Sequence, residues 1–295
     1  MTRILLTGKN GQVGWELRRS LMPLGEIVAT DREEMDLADP DAIRRMVRDV
    51  KPDIIVNPGA YTAVDQAESE PELAMKINGE APGVMAEEAK RLGALLVHYS
   101  TDYVFDGRKD TPYTEEDAPN PLSVYGRTKL AGEEAIRASS ARHLILRTSW
   151  VYGMRGRNFL LTILRLARER EELRIVADQF GAPTWSRMIA EVTSAVLARM
   201  AGGGSVSAIS GTYHLTASGS TSWHGFTEAV IEGAVRAWGF EPATRRVLPI
   251  ATSDYPTAAV RPANSRMSCA RLRRDFDVWL PDWSECLQLC LAERQ

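Results

Sequence analysis

The chain has 295 residues, 44% of them hydrophobic, enough to bury a substantial core and to form two lobes around one cleft. It carries 36 basic against 39 acidic residues, a formal net charge of −3, with no basic block or stripe, which excludes nucleic acid as an expected partner. No apolar run approaches the ~20 residues that span a bilayer, and the amino terminus runs straight into a strand without a cleavable apolar region, so a cytoplasmic protein with no membrane partner is expected.

The first predicted strand is Thr2–Thr7, followed by Gly8-Lys-Asn-Gly11-Gln-Val-Gly14 and a helical pattern over Trp15–Leu21. Strand, glycine-rich turn and helix in that order form the context of a dinucleotide fingerprint. Gly8 permits the tight turn, Gly11 lets the backbone approach a pyrophosphate, and Gly14 lets the helix pack on the strand. The spacing is GxxGxxG, so the turn should be one residue longer than in the GxGxxG form. The next apolar strand, Glu26–Thr30, ends at Asp31, about 20 residues beyond the glycines, where an acid binds the adenine ribose. Arg32 beside it either neutralises a 2′-phosphate or is a solvated surface side chain, so both NADH and NADPH are expected to serve.

A helix is expected near Asp39–Val50 with Asp39 or Asp41 as its cap, then a continuous apolar strand Pro52–Val56 and a long helical pattern over Glu70–Leu92. Ala94–Tyr99 reads as the fourth strand, a helix around Tyr125 follows, and His143–Arg147 is the fifth strand. Alternating strands and helices predict an α/β fold, a Rossmann-type doubly wound parallel sheet, whose ligands gather at the carboxyl ends of the strands. Thr7, Asp31, Asn57 and Thr101 all fall near those ends.

Beyond Trp150 the pattern loosens. Helices around Phe159–Arg170 and Met188–Met200 flank a strand Leu173–Val176, and Ala201–Ser205 reads as a flexible loop. A short strand Tyr213–Leu215, a helix near Trp223–Trp238, a proline-punctuated stretch through Pro262 and a closing helix after Pro281 complete the chain. Residues 1–150 are thus read as a dinucleotide-binding domain, and residues 151–295 as a smaller substrate-binding lobe that exchanges elements with it. Cys269, Cys286 and Cys290 lack a zinc-type partner set and read as small apolar residues, so no metal is expected.

Tyr125 and Lys129, four residues apart, share one face of the predicted helix. An ammonium beside a phenol favours the phenolate, which would bring the tyrosine below its ordinary pKa of about 10 and fit it for carbonyl–alcohol interconversion.

Seven blocks are familiar together: Gly8-Lys-Asn-Gly-Gln-Val-Gly-Trp-Glu-Leu17, Ala60-Tyr-Thr-Ala-Val-Asp65, Tyr99-Ser-Thr-Asp-Tyr-Val-Phe105, Tyr125-Gly-Arg-Thr-Lys-Leu-Ala-Gly-Glu133, Arg147-Thr-Ser-Trp-Val-Tyr152, Gln179-Phe-Gly-Ala-Pro-Thr184 and Arg261-Pro-Ala-Asn-Ser265. Through them the chain resembles the extended short-chain dehydrogenase/reductase superfamily, and within it the dTDP-4-dehydrorhamnose reductases. The resemblance implies NAD(P)H-dependent reduction of a nucleotide-sugar C4 ketone, with Thr101, Tyr125 and Lys129 as the catalytic trio. It implies that Gly11, Gln12 and Val13 wrap the pyrophosphate, that Asp31, Asp36 and Leu37 surround the adenosine, and that Ala60, Tyr61, Thr62 and Tyr99 continue the cofactor wall. Thr101, Asp102 and Trp150 would meet the sugar nucleotide, against the alternatives of a turn cap for Asp102 and core packing for Trp150.

Some members of that family dimerise around a magnesium ion held by glutamates. Glu16 matches one such ligand, but an arginine, Arg187, stands near another, so a magnesium-independent monomer or homodimer is expected. A dehydratase of the same superfamily would carry Asp-Glu after the catalytic threonine, where this chain has Asp102 and Tyr103. An epimerase would show no net oxidation of its cofactor, and a non-catalytic regulatory subunit of reductase-like fold would not need a proton-transfer set.

Overall fold

The structure is a computed structural model that describes residues 1–203 and 209–293. Strand β1 (Arg3–Leu6) leads into α1 (Gln12–Ser20), β2 (Glu26–Ala29), α2 (Pro40–Val50) and β3 (Ile54–Asn57). Helix α2 forms as its sequence dictates. The Asp39 side chain accepts from the Asp41 N–H at 2.9 Å, Pro40 occupies the first turn, and Ile43 and Val47, one turn apart, are buried. Lys51, left-handed at φ 50°, stops it.

After α3 (Val64–Ala67), the helical pattern at 70–92 runs as three contiguous pieces, α4 (Pro71–Met75), a π-helical turn, Lys76–Glu80, and α5 (Ala81–Leu92). A single continuous helix would carry Asn78 elsewhere. The wider turn goes with an Asn78 amide that donates to Tyr61 O at 3.0 Å and accepts from Tyr61 N–H at 2.9 Å. After α5 come β4 (Leu95–Thr101), α6 (Val124–Ser139) and β5 (His143–Thr148). All seven residues of β4 are buried, as expected for a parallel strand covered on both faces.

The second half contributes β6 (Val151–Tyr152), α7 (Phe159–Glu169), β7 (Glu172–Val176), β8 (Phe180–Gly181), β9 (Thr184–Trp185) and α8 (Ser186–Ala201). It ends with β10 (Gly211–His214), β11 (Thr221–Ser222), α9 (Trp223–Trp238), β12 (Arg246–Ile250), α10 (Ala270–Phe276) and α11 (Trp283–Ala292). Of the expected loop Ala201–Ser205, Gly204 and Ser205 lie outside the described residues. Sequence pattern alone did not disclose β12 or α10. Strand β12 pairs only with β7 and contains Pro249, so it lacks the buried alternation that marks a strand.

The main sheet runs β10-β5-β4-β3-β1-β2 with every pairing parallel. Alternate strand residues therefore feed two cores. Leu6, Val56, Val97 and Leu146 pack with Leu17 of α1 and Ile189 and Val196 of α8; Leu5, Ile55, Leu96 and Ile145 pack with Ile43, Met85 and Ile136. Helix α8 and strand β10, both beyond residue 150, thus complete the first-half sheet. A third core gathers Tyr152, Ile163, Phe226, Val230, Leu287 and the buried Cys286 and Cys290. The strand order reverses direction between β1 and β3, and the crevice of such sheets opens at that point. Among the described residues, no helix is long and apolar enough to cross a membrane.

Candidate active site

The β1–α1 turn is built to receive an anion. Gly8 adopts φ +56°, and a Cβ on Gly14 would stand 2.0 Å from the Gly8 carbonyl oxygen, so no other residue fits there. Helix α1 starts after Gly11 without a side-chain cap, which leaves the first-turn amides of Gln12, Val13 and Gly14 as donors with the helix dipole behind them. Gln12 itself accepts from Asn158 Nδ2 at 2.8 Å. Asp31 sits beside the turn, accepting from Asn10 N–H at 3.0 Å and Arg32 N–H at 2.8 Å. The Arg32 guanidinium is 80% exposed and lies 3.4 Å from Asp36. A Cβ on Gly59 would meet Leu37 at 2.8 Å, so Leu37 closes the same crevice from the side. Ala60 and Tyr61 are half-buried and Thr62 is exposed along the next loop, which the Asn78 amide pins. The residues present fit a dinucleotide.

At the carboxyl end of β4, the Thr101 hydroxyl lies close enough to the Tyr125 hydroxyl to lower its pKa. It also donates to Asp102 Oδ1 at 3.0 Å and accepts from Tyr103 N–H at 3.2 Å. One hydroxyl proton cannot serve both Asp102 and Tyr125, so Thr101 can turn its donor between them. Asp102 is 3% exposed; burial pushes its carboxyl up to about 6, while the neighbouring Ser265 and Thr101 hydroxyls lower it. Asp102 Oδ2 has no partner among the described residues. The turn cap at this corner is Thr101 rather than Asp102. Tyr103 packs edge-on against the Tyr125 ring at 5.4 Å and feels the nearby Arg261 guanidinium, which pairs with Asp65 at 2.8 Å.

The expected acidified phenol is corrected by the structure. Burial pushes Tyr125 up to about 12; the Thr101 hydroxyl lowers it and the Asp102 charge raises it, with Lys129 not among the groups that shift it. Lys129 lies on the predicted helix face, but its Nζ donates to Tyr99 O at 2.6 Å and stands 3.2 Å from His98 Nε2. Spacing along a helix places two Cβ atoms together and leaves a long, flexible side chain free to find an acceptor elsewhere. Burial in turn lowers Lys129 to about 8. Tyr99 likewise differs from a simple cofactor wall: its ring is in the core, its hydroxyl is 2.7 Å from Thr193 Oγ1, and its carbonyl is what faces Lys129.

The whole chain, residues 1–295, matches the family model described as RmlD substrate binding domain. The chain belongs to the RmlD family. It is 52% identical to a dTDP-4-dehydrorhamnose reductase of Burkholderia thailandensis, over 99% of this chain and 98% of that one. It is 47% identical to the enzyme of the same name from Escherichia coli K12, over 98% and 97%. A crystal structure of the dTDP-4-dehydrorhamnose reductase of Bacillus anthracis in complex with NADP superposes with a TM-score of 0.91, at 35% identity, covering 99% of this chain and 100% of that one.

Two further features of this RmlD-family chain involve motif residues. Trp150 follows β5 in a left-handed conformation, φ 48°, and its half-buried ring lies 3.5 Å from that of Trp223 and 7° from parallel. Trp223 Nε1 donates to Gln179 at 3.2 Å. Trp150 is therefore half of a stacked pair at the rim of the cleft. On the α1–α8 face, Arg187 Nε lies 3.1 Å from Glu16 Oε2, and its other arm contacts Glu293. The guanidinium thus lies between these two carboxylates, and Arg19 also stands 3.6 Å from Glu16 and 3.2 Å from Glu191 on the same face.

Sequence reasoning passed over His98, Asn78, Arg261 and Trp223. His98 sits in an apolar strand next to Tyr99, where its Nε2 reaches Lys129. The two motifs that flank it were visible, but their convergence was not.

Proposed function

We propose that this chain reduces the C4 ketone of dTDP-4-dehydro-β-L-rhamnose to dTDP-β-L-rhamnose, the last step of dTDP-L-rhamnose formation, as a cytoplasmic monomer or homodimer. The observation that carries this reading is the Thr101–Tyr125 hydroxyl pair at the carboxyl edge of the sheet, in a chain 52% identical to a reductase of that name.

NADPH or NADH, held by the Gly8–Gly14 turn with Asp31, Arg32, Asp36 and Leu37 on the adenosine side, supplies the hydride when bound. Tyr125 carries a proton at neutral pH, as an acid for reduction must, and passes it from its hydroxyl to the substrate oxygen. Thr101 turns its donor from Asp102 toward that same oxygen and supports the charge developing there. Lys129 would bind the nicotinamide ribose and hold positive charge beside the tyrosine while it is deprotonated. Asp102, with one oxygen free, accepts from a sugar hydroxyl, and Trp150 offers an aromatic face.

The test follows NADPH absorbance with dTDP-4-dehydrorhamnose generated by the preceding pathway enzymes. One NADPH consumed per rhamnosyl product is expected. Turnover without net cofactor oxidation would identify an epimerase, and co-purification with a synthetase without reductase activity would identify a regulatory subunit. A preference of a thousandfold or more in kcat/KM for one cofactor would refute dual use. Because Arg187 pairs with both Glu16 and Glu293, activity and mass in solution should be unchanged by EDTA; loss of activity restored by Mg²⁺ would overturn this.

A further inference from the structure

A chain of buried polar groups runs behind Lys129, from the cofactor turn to the catalytic helix. Gly59 N–H donates to Thr7 Oγ1 at 3.2 Å, and Thr7 Oγ1 lies 2.6 Å from Asn57 Oδ1. The Asn57 amide nitrogen is 3.1 Å from His98 Nδ1, and His98 Nε2 is 3.2 Å from Lys129 Nζ. Asn57 and His98 are 0% exposed and Thr7 and Lys129 each 1%, so no bulk water mends a mismatch along this chain. His98 is neutral, since burial and then the Lys129 charge both hold it well below the ordinary histidine range.

The hydrogen bookkeeping is restrictive. A neutral imidazole has one donor and one acceptor, whereas an ammonium has three donors and no acceptor. Beside a charged Lys129, His98 Nε2 must accept, which puts the ring proton on Nδ1. Asn57 must then face the ring with its oxygen. The two ends of a primary amide have the same shape, so the turned-over amide fits the same space and its nitrogen donates to Thr7 Oγ1. If Lys129 is neutral, the order reverses: Nε2–H donates to the amine and the Asn57 nitrogen donates to Nδ1. The chain thus has two arrangements, one for each charge of Lys129; in the charged one the Thr7 hydroxyl, which donates to Asn57 Oδ1 in this structure, gives up that acceptor.

We propose that His98 is a positioning residue for Lys129: as the Nδ1–H tautomer, braced by Asn57, it accepts from the ammonium and favours the charged lysine that the reduction uses. The proposal rests on the reductase reading for its kinetic consequence, and on geometry alone for its tautomer. The titratable groups facing Lys129 are Glu133 on α6, itself paired with Arg147 of β5 at 2.6 Å, and His98 on β4; Tyr125 precedes Lys129 on α6, with Asp102 beyond it.

Long-range ¹H–¹⁵N correlation on the full chain with ¹⁵N-histidine, assigned by comparison with His98→Gln, should show a neutral His98 protonated at Nδ1 at neutral pH. An Nε2–H tautomer or an imidazolium overturns the proposal whether or not the chain is a reductase. Kinetics give the second arm. His98→Phe removes the acceptor and should move the alkaline limb of the kcat–pH profile down by about one pH unit, a tenfold change in the lysine equilibrium. His98→Gln, whose amide oxygen can accept, should restore the limb. A uniform loss at every pH with the limb unmoved would mark a merely structural histidine and overturn the proposal. Should His98→Phe not fold, Asn57→Asp, which strengthens the acceptor for Nδ1–H, must move the limb upward, and a limb that stays or falls is equally fatal. No wild-type turnover at all would sink the reductase reading while leaving the tautomer arm intact.

Discussion

Behind Lys129 the cleft wall is a hydrogen-bonded stack, Thr7, Asn57, His98 and Lys129, drawn from the ends of β1 and β3, the middle of β4 and one helix. The rim at Trp150 is held instead by ring against ring, with Trp223 stacked on one face and Phe159 tilted against Trp223 at 4.5 Å. Hydrogen bonds in the first region fix direction as well as distance, so a single exchange of donor for acceptor is felt down the line. Stacking in the second fixes a plane and leaves sliding within it cheap. The first arrangement suits an atom that must meet a proton. The second suits a surface that must accept a flat or ring-shaped group.

The largest expected effect separates the two regions most sharply. Tyr125→Phe should keep cofactor affinity and lower kcat by about 10²–10⁴, the range for losing a general acid; near-wild-type kcat, measured beside NADPH binding by fluorescence, would remove Tyr125 from the mechanism. At the rim, Trp223→Ala should free the Trp150 ring and raise KM for the sugar nucleotide about tenfold, in keeping with the strength of an aromatic pair. A fall in kcat with KM unchanged would show that the rim acts on chemistry and would erase the contrast.

A third effect is on stability. Burial holds the Asp102 carboxyl at about 6 against an ordinary 3.8, a difference of about 3 kcal/mol. Because the folded-state value is raised, this contribution is fully present below 3.8 and is lost as pH rises through about 6. Asp102→Asn should therefore raise Tm at neutral pH, with the gain shrinking toward pH 4. A variant less stable than wild type at neutral pH would mean that the carboxylate is compensated in the fold.

Much of the sheet-side site was legible because its signals are local. Gly8, Gly11 and Gly14 lie within one turn and serve one turn, and the strand that ends at Thr101 opens on an apolar run, Leu95–Val97. The Tyr125–Lys129 spacing identified the helix face but misassigned the electrostatics, because the partner of Lys129 is a carbonyl and a ring on another strand. The long helical pattern over 70–92 concealed a π turn, since the turn answers to Tyr61 and Thr128 rather than to its own neighbours.

The amino-acid sequence by itself determined the strand–turn–helix cradle, the parallel order of alternating elements and the pair of residues on one face of α6. Each depends on groups within a few residues of one another, where backbone geometry leaves few choices. Only the tertiary structure decided that Tyr125 stays protonated, that Lys129 leans on His98, that Trp150 has Trp223 for a neighbour and that Arg187 sits between Glu16 and Glu293. These depend on burial and on partners up to about 170 positions away in the chain, and both exist only once the sheet has closed.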